Sequence, residues 1–139
     1  MASILKVDTI TGVTTAGSIA VTGEGNSTTT NLQQGLAKAW SSLDSGGGST
    51  TTQHGSLNIS SVLDDGVGQY GFNFSSNMDG ATYSSIGTSN DNAGNNFVTN
   101  WGGVPDAYTS SRTGCGNLRV NIYNYVDSDV CIAVFGDLA

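Results

Sequence analysis

The hydrophobic pattern changes in character about 28 residues into the chain. Up to that point apolar side chains recur at every third position, at Ile4, Val7, Ile10, Val13, Ala16 and Ile19. A period of three matches neither a flat strand, which repeats every two residues, nor an α-helix, which repeats every 3.6 residues. One interpretation is an extended chain that winds around a threefold axis. The other is a pair of short strands, 4–10 and 18–22, joined by a turn.

On either interpretation this first segment has too little apolar surface to fold by itself. We therefore predict that residues 1–28 form an extended arm that anchors or trimerises the protein. The residues expected to make these contacts are Ile4, Val7, Ile10, Val13 and Ile19.

From residue 29 onwards the pattern is that of short strands separated by turns. Residues 30–34 predict one helical turn, capped by Thr30 or Asn31. The predicted strands are 36–43, 56–63, 69–75, 82–87, 96–101, 118–126 and 130–136, and the predicted loops are 44–55, 88–95 and 102–117. Turn signals at these intervals predict that residues 29–139 form an all-β domain, an antiparallel β-sandwich of the jelly-roll kind.

The last two predicted strands differ in how apolar residues are distributed over their two faces. Apolar and polar residues alternate along 118–126, so one face is expected to join the core. Strand 130–136 is apolar on both faces, which is typical of a strand that is covered on both sides. In a chain of 139 residues we expect the second cover to be another subunit. We also predict that these two strands form a hairpin that turns at 127–129.

The stretch DDGVGQYGFNF, residues 64–74, has the G-x-G-x-x-G spacing of a dinucleotide-binding loop at Gly66, Gly68 and Gly71. Such a loop binds phosphate only where it opens a helix. Here strand-like runs flank it on both sides, so the glycines predict a β-hairpin turn and no nucleotide site. Asp64 and Asp65 are expected to be turn residues rather than a catalytic pair.

The composition agrees with an all-β chain and argues against some classes of binding partner. The 20 Gly, 18 Ser, 16 Thr and 13 Asn residues, with only 11% charged residues, disfavour long helices. The net charge of −7 argues against nucleic-acid binding, because phosphate contacts need Lys and Arg. No apolar run approaches the roughly 20 residues of a membrane span. We expect one β domain with an arm, made in the cytoplasm without secretion and bound to neither nucleic acid nor a membrane.

Residues suited to catalysis are few, with His54 the only histidine and Glu24 the only glutamate. We therefore expect no enzyme activity and no cofactor. Cys115 and Cys131 are expected to be free thiols, because assembly in the cytoplasm keeps thiols reduced. They do not form a zinc ligand set with the distant His54.

The strongest candidate for ligand recognition is the stretch 96–114. Its chemically useful residues are Trp101, Asp106, Tyr108 and Arg112. An aromatic ring beside a carboxylate and a guanidinium can stack on a sugar and hydrogen-bond its hydroxyls. We predict that any recognition, of a host surface glycan for example, uses this loop. The alternative is that Trp101 and Tyr108 anchor the loop to the core or to a neighbouring subunit.

Several segments resemble a β-rich module that is common in virion appendage proteins of phages of marine bacteria and cyanobacteria. In chain order they are GLAKAW (35–40), LNISSVLDDG (57–66), DGVGQYGFNF (65–74), MDGATY (78–83) and CIAVFGD (131–137). The opening MASILKVDTITG (1–12) resembles the N-terminus of short phage fibre proteins. The resemblance implies a homotrimeric virion structural protein, assembled in the host cytoplasm, that contacts other virion proteins. We expect a short tail-fibre or appendage subunit that mediates attachment to the host surface. The rival interpretation is a capsid decoration protein whose arm lies on the shell.

Overall fold

The computed structural model describes residues 4–12, 19–22, 29–45, 51–90, 96–99, 108–119 and 124–139. The chain forms two compact units, Met1–Leu36 and Ala37–Ala139. No helix in the described part of the chain is long and apolar enough to cross a membrane.

In the first unit, a short strand pair precedes one helical turn. Strand β1 (Ala20–Thr22) pairs antiparallel with β2 (Thr29–Asn31), and α1 (Leu32–Gly35) follows at once. The predicted helical turn is therefore confirmed. The strand predicted at 18–22 is present in shortened form, whereas residues 4–10 are not in a strand.

The second unit is built from strands. They are β3 (Ala39–Asp44), β4 (Thr52–Leu57), β5 (Ile59–Gly66), β6 (Gln69–Phe74), β7 (Ser84–Asn90), β8 (Asn96–Thr99), β9 (Arg112–Arg119), β10 (Asn124–Tyr125) and β11 (Asp129–Phe135).

These strands form two antiparallel sheets. The first, called the β11 sheet, has the strand order β4-β3-β11-β7. In the second, called the β9 sheet, β5, β6 and β9 lie in that order. Strand β9 pairs with β8 along its other edge and with β10 beyond the end of β6. The predicted all-β class is confirmed, and the two antiparallel sheets are consistent with a β-sandwich.

The core is built from alternate residues of both sheets, because successive strand residues point to opposite faces. Val130, Ile132 and Val134 are buried along β11, while Tyr70 and Phe72 are buried along β6. The full buried cluster is Ala39, Leu43, Ile59, Tyr70, Phe72, Phe74, Met78, Cys115, Val130, Ile132 and Val134. Burial of an aliphatic or aromatic side chain contributes about 1.5–3 kcal/mol, so this cluster is the main source of stability.

The predictions for β9 and its partner are wrong. Strand β9 covers Arg112–Arg119, most of which was predicted to be loop. It does not form a hairpin with β11, because the two strands belong to different sheets. Cys131 therefore lies opposite Ser42 and Thr88. Gly114 and Gly116 lower the strand propensity of β9, which explains why the pattern suggested a loop. Strand β4 was missed for a similar reason, because its Gly/Thr-rich surroundings also suggested a loop.

The hairpin at 64–68 is confirmed as the connection between β5 and β6. Gly66 and Gly68 have φ of +143° and +63°, a region that glycine adopts without strain. A Cβ on Gly68 would lie 2.5 Å from the Val126 carbonyl oxygen. The amide of Gly68 donates a hydrogen bond to Asp127 Oδ1 at 2.6 Å, so the turn is fastened to the segment that leads into β11.

An ion pair crosses the β9 sheet on the face away from the core. The guanidinium of Arg112, at the start of β9, reaches across β6 to the carboxylate of Asp65 in β5. The two side chains are only 14% and 17% exposed. A Cβ on Gly71 would collide with that guanidinium, so glycine at this position makes room for the pair.

We predict that Gly71→Ala lowers the free energy of unfolding by about 1–3 kcal/mol, the usual cost of overpacking. The collision forces Arg112 away from Asp65 and leaves a poorly solvated carboxylate. Urea unfolding followed by circular dichroism measures the change.

Gly80→Ala is the matched control, because the nearest atom to its new Cβ would be 3.7 Å away. Repeating Gly71→Ala in an Arg112→Ala background completes a double-mutant cycle. The cost of Gly71→Ala should then fall below about 1 kcal/mol. An equal cost in both backgrounds would show that Arg112 is not what Gly71 accommodates.

Candidate interaction surfaces

The predicted arm exposes the apolar side chains expected to make contacts. Ile4, Val7 and Ile10 are 78%, 52% and 57% exposed. Ile19 is partly buried, and its carbonyl accepts a hydrogen bond from the Leu32 amide at 2.8 Å. Val13 lies outside the described residues. The exposed side chains give this segment apolar surface that a partner could cover.

In the predicted recognition loop, Tyr108 contacts its own domain. Its ring stacks on Tyr83 with centroids 5.2 Å apart and an interplanar angle of 20°. Tyr83 in turn meets Phe74 edge-on at 5.7 Å, and its hydroxyl donates to the Arg112 carbonyl at 2.6 Å. Burial raises the pKa values of both tyrosines above their ordinary value, so both hydroxyls stay protonated at neutral pH.

Arg112 is also engaged, through its pair with Asp65. Burial raises the pKa of Asp65, and the Arg112 guanidinium opposes part of that rise. A turn places Arg112 near Tyr108, with the Thr109 amide donating to the Arg112 carbonyl at 3.0 Å. The loop therefore brings these two predicted residues together, each with its own partner in the domain. Trp101 and Asp106 lie outside the described residues.

A further surface lies on the face of the β11 sheet that points away from the core. Ala133 of β11 lies opposite Trp40 on one side and Ile86 on the other, and Trp40 lies opposite Leu57. These four residues, called the apolar row, cross the whole sheet. Trp40, Ile86 and Leu57 are 41%, 57% and 48% exposed. Both faces of β11 are thus apolar, and only the core face is covered within the described residues.

The apolar row continues into a shallow depression. Its volume is about 160 Å³, and it is lined by Ile86, Gly87, Thr88, Cys131, Ile132 and Ala133. On the other side of β11, the Trp40 ring lies against Gly55, where a Cβ would come within 3.2 Å of its Cη2 atom. Because Gly55 has no side chain, the indole can lie flat along the sheet and present an even apolar surface.

The outer face of the β9 sheet has a different character. Asn73 lies there opposite Ser61 and Arg112, and its side-chain amide donates to Ser61 Oγ at 2.9 Å. Polar and charged groups with partners in the same sheet suit a face that stays in water. The apolar outer face is therefore a property of the β11 sheet in particular.

The alternation of side chains along β3 is the sequence signal that reveals this surface. Trp40 and Leu43 are three residues apart in β3, so they must point to opposite faces. Leu43 is buried, which places Trp40 outside together with Ser42. Sequence reasoning favours burial of the larger aromatic residue, and for that reason it did not single out Trp40.

The described residues offer little reactive chemistry. They contain no group of three His, Cys, Asp or Glu side chains that could hold a metal ion. Both cysteines are free, with Cys115 buried and Cys131 exposed. Burial raises the pKa of Cys115 to about 12, which keeps its thiol protonated and unreactive at neutral pH.

No known protein family, curated protein or solved structure matches this chain.

We predict that stability falls at alkaline pH because of two buried acids. Burial raises the pKa of Cys115 from 9.0 to about 12 and that of Tyr70 from 10.0 to about 12. The unfolded chain ionises these groups from their ordinary values upwards, while the folded chain keeps them protonated. The contribution of these two groups to stability should be constant below about pH 9 and fall between pH 9 and 12, by up to about 1.4 kcal/mol per pH unit for each group.

Urea unfolding at pH 7, 9 and 10 measures this slope. Cys115→Ala should have a lower free energy of unfolding at every pH, because it removes a buried side chain. Its free energy of unfolding should decline much less between pH 9 and 10, because most of that part of the decline comes from Cys115. An unchanged decline in that variant would show that Cys115 does not cause it.

Proposed function

We propose that this chain is a structural subunit of a phage virion, a short tail fibre or appendage that mediates contact with the host surface. It acts without catalysis and without a cofactor. It assembles as a homotrimer in the host cytoplasm and attaches to other virion proteins through residues 1–28.

The observation that carries the proposal is the exposed apolar surface of the arm. Ile4, Val7 and Ile10 are each more than half exposed in a segment, 4–12, that forms neither helix nor strand. Such side chains lower their free energy when a partner covers them. A chain that carries a β domain and an apolar segment of this kind suits a protein that is fixed to a larger assembly.

The resemblance to virion appendage proteins supports the same role. Its segment DGVGQYGFNF contains the turn and β6 of the β5–β6 hairpin, and CIAVFGD contains most of β11. Both segments supply core residues, among them Tyr70, Phe72 and Val134. The resemblance therefore rests on the parts of the chain that build the domain.

Capsid decoration is the second candidate, and one observation favours it. Tyr108 and Arg112 have partners in their own domain, Tyr83 and Asp65. This suits a loop that is part of the architecture rather than a receptor-binding loop. A decoration protein needs an attachment surface but no contact with the host.

The first prediction concerns the arm. Replacing Ile4, Val7 and Ile10 together by Ser should abolish incorporation into particles, because the attachment surface loses its apolar contacts. The β domain should keep its circular dichroism spectrum, since its core lies in the second unit. Removal of residues 1–28 should have the same effect on incorporation.

Lys6→Ser with Thr9→Ser is the matched control, because it changes exposed polar residues of the same segment. Normal incorporation of the triple variant would contradict the proposal. Antibody labelling of intact particles then separates the two candidates, since a tail fibre is labelled on the tail and a decoration protein on the shell.

The second prediction separates recognition from architecture in the 96–114 loop. Tyr108→Ala should lower the free energy of unfolding by about 2 kcal/mol, because it removes a stacked and partly buried ring. Trp101→Ala should weaken attachment to host cells by about 1–3 kcal/mol with little change in melting temperature, as for a binding hot spot.

Attachment assays and thermal unfolding of both variants provide the test, with Tyr108→Phe as the control that keeps the stacked ring. If Trp101→Ala instead destabilises the fold and leaves attachment unchanged, the loop is architectural. Capsid decoration then becomes the first candidate.

A further inference from the structure

Within the described residues, the apolar row and the row on one side of it carry no charged side chain. The neighbouring row of the same face consists of Gly55, Ser42, Cys131 and Thr88. The charged residues that the structure describes on this face lie towards the ends of the strands. Asp44, paired with His54 at 3.5 Å, and Asp129 lie where β11 begins. Lys38 precedes β3, and Asp137 follows β11. The whole chain has a net charge of −7, so an uncharged apolar area across four strands restricts the kind of partner that can cover it.

We propose that copies of this chain pack against one another through the outer face of the β11 sheet, with the face of each copy turned towards a shared threefold axis. The proposal takes only the number of copies from the proposed function.

The absence of charge favours a copy of the same chain as the occupant. Close to a symmetry axis, a side chain lies near its own counterparts, so a charged residue in the middle of this face would meet the same charge. The uncharged middle of this face avoids that repulsion in a strongly acidic protein. A nucleic acid would require basic residues, and the middle of this face has none.

The shape of the face fits contact between flat sheets. The Trp40 ring lies along the sheet over Gly55 and does not need to project from it. The depression beside Ile86 and Cys131 can accept a side chain from a neighbouring copy. Sheets that pack face to face approach to about 10 Å, which requires such an even surface.

The size of the face predicts the strength of association. Four strands at about 4.8 Å spacing and six residues at about 3.3 Å give an area of roughly 400 Å². A standard interface buries about 800 Å² on each partner. The face alone should therefore give a trimer that forms at micromolar or higher concentration and dissociates on dilution.

Cys131 provides a direct reporter of this interface. It is exposed on the same face, one row from Trp40, whereas Cys115 is buried in the core. Thiol labelling of the native protein therefore reads Cys131 alone. In the trimer the thiol is covered, so its labelling slows in proportion to the fraction of protein assembled.

The experiment uses the full chain between about 1 µM and about 300 µM. Light scattering after size exclusion gives the mass, and N-ethylmaleimide labelling gives the accessibility of Cys131. We expect about three times 14.2 kDa at the highest concentration and the mass of one chain at the lowest. Labelling should be about tenfold slower where about nine tenths of the protein is assembled.

Ile86→Glu tests the face, and Val67→Glu is the matched control. Both residues are exposed to a similar extent, 57% and 62%, but Val67 lies in the β5–β6 turn. Ile86→Glu should have the mass of one chain at every concentration, label rapidly and keep its circular dichroism spectrum. Val67→Glu should behave like the wild type.

Three results would overturn the proposal. The first is the mass of a single chain together with rapid labelling of Cys131 at the highest concentration. Protection of Cys131 in whole particles would not rescue the proposal, because another virion protein would then cover the face. The second is a trimer in which Cys131 labels rapidly or which Ile86→Glu leaves intact. The third is a mass of two or four copies.

Incorporation into particles is a separate measurement. Normal incorporation of the arm variants would count against the proposed function alone.

Discussion

The alternation of side chains along one central strand governs both the core and the outer surface of the β domain. Strand β11 pairs with β3 on one edge and β7 on the other. Once Val134 and its alternate neighbours face the core, Cys131 and Ala133 must face away from it. The register of β11 then sets Trp40 and Ile86 beside Ala133. Core and apolar row are thus two consequences of the same pairing.

Polar contacts fix where that central strand begins. Asp127 Oδ1 accepts the Gly68 amide at 2.6 Å, which ties the approach to β11 to the β5–β6 turn. Asp129 Oδ1 accepts the Ser45 amide at 3.2 Å, which ties its first residue to the end of β3. A shift of one residue would exchange the two faces of the strand. These bonds therefore help to keep the apolar row on the outside.

Local patterns predicted the features that depend on neighbours in sequence. The glycines at 66 and 68 marked the hairpin turn, and the uninterrupted apolar run at 130–135 marked a strand with two apolar faces. The missed features depend on residues far apart in the chain. Glycines obscured β9, no local signal links Arg112 to Asp65, and the stacking of Tyr108 on Tyr83 exists only after folding. The face to which Trp40 points can be assigned only from the alternation of side chains along the whole strand.

If the apolar row is covered when copies of the chain assemble, the surroundings of the Trp40 indole must change with assembly. In a Trp101→Phe variant, the only remaining indole is that of Trp40, which is 41% exposed in the single chain. We expect acrylamide quenching of its fluorescence to weaken, and its emission to shift to shorter wavelength, as protein concentration rises through the assembly range. Quenching and emission that stay the same while the mass increases to that of the assembled protein would contradict it.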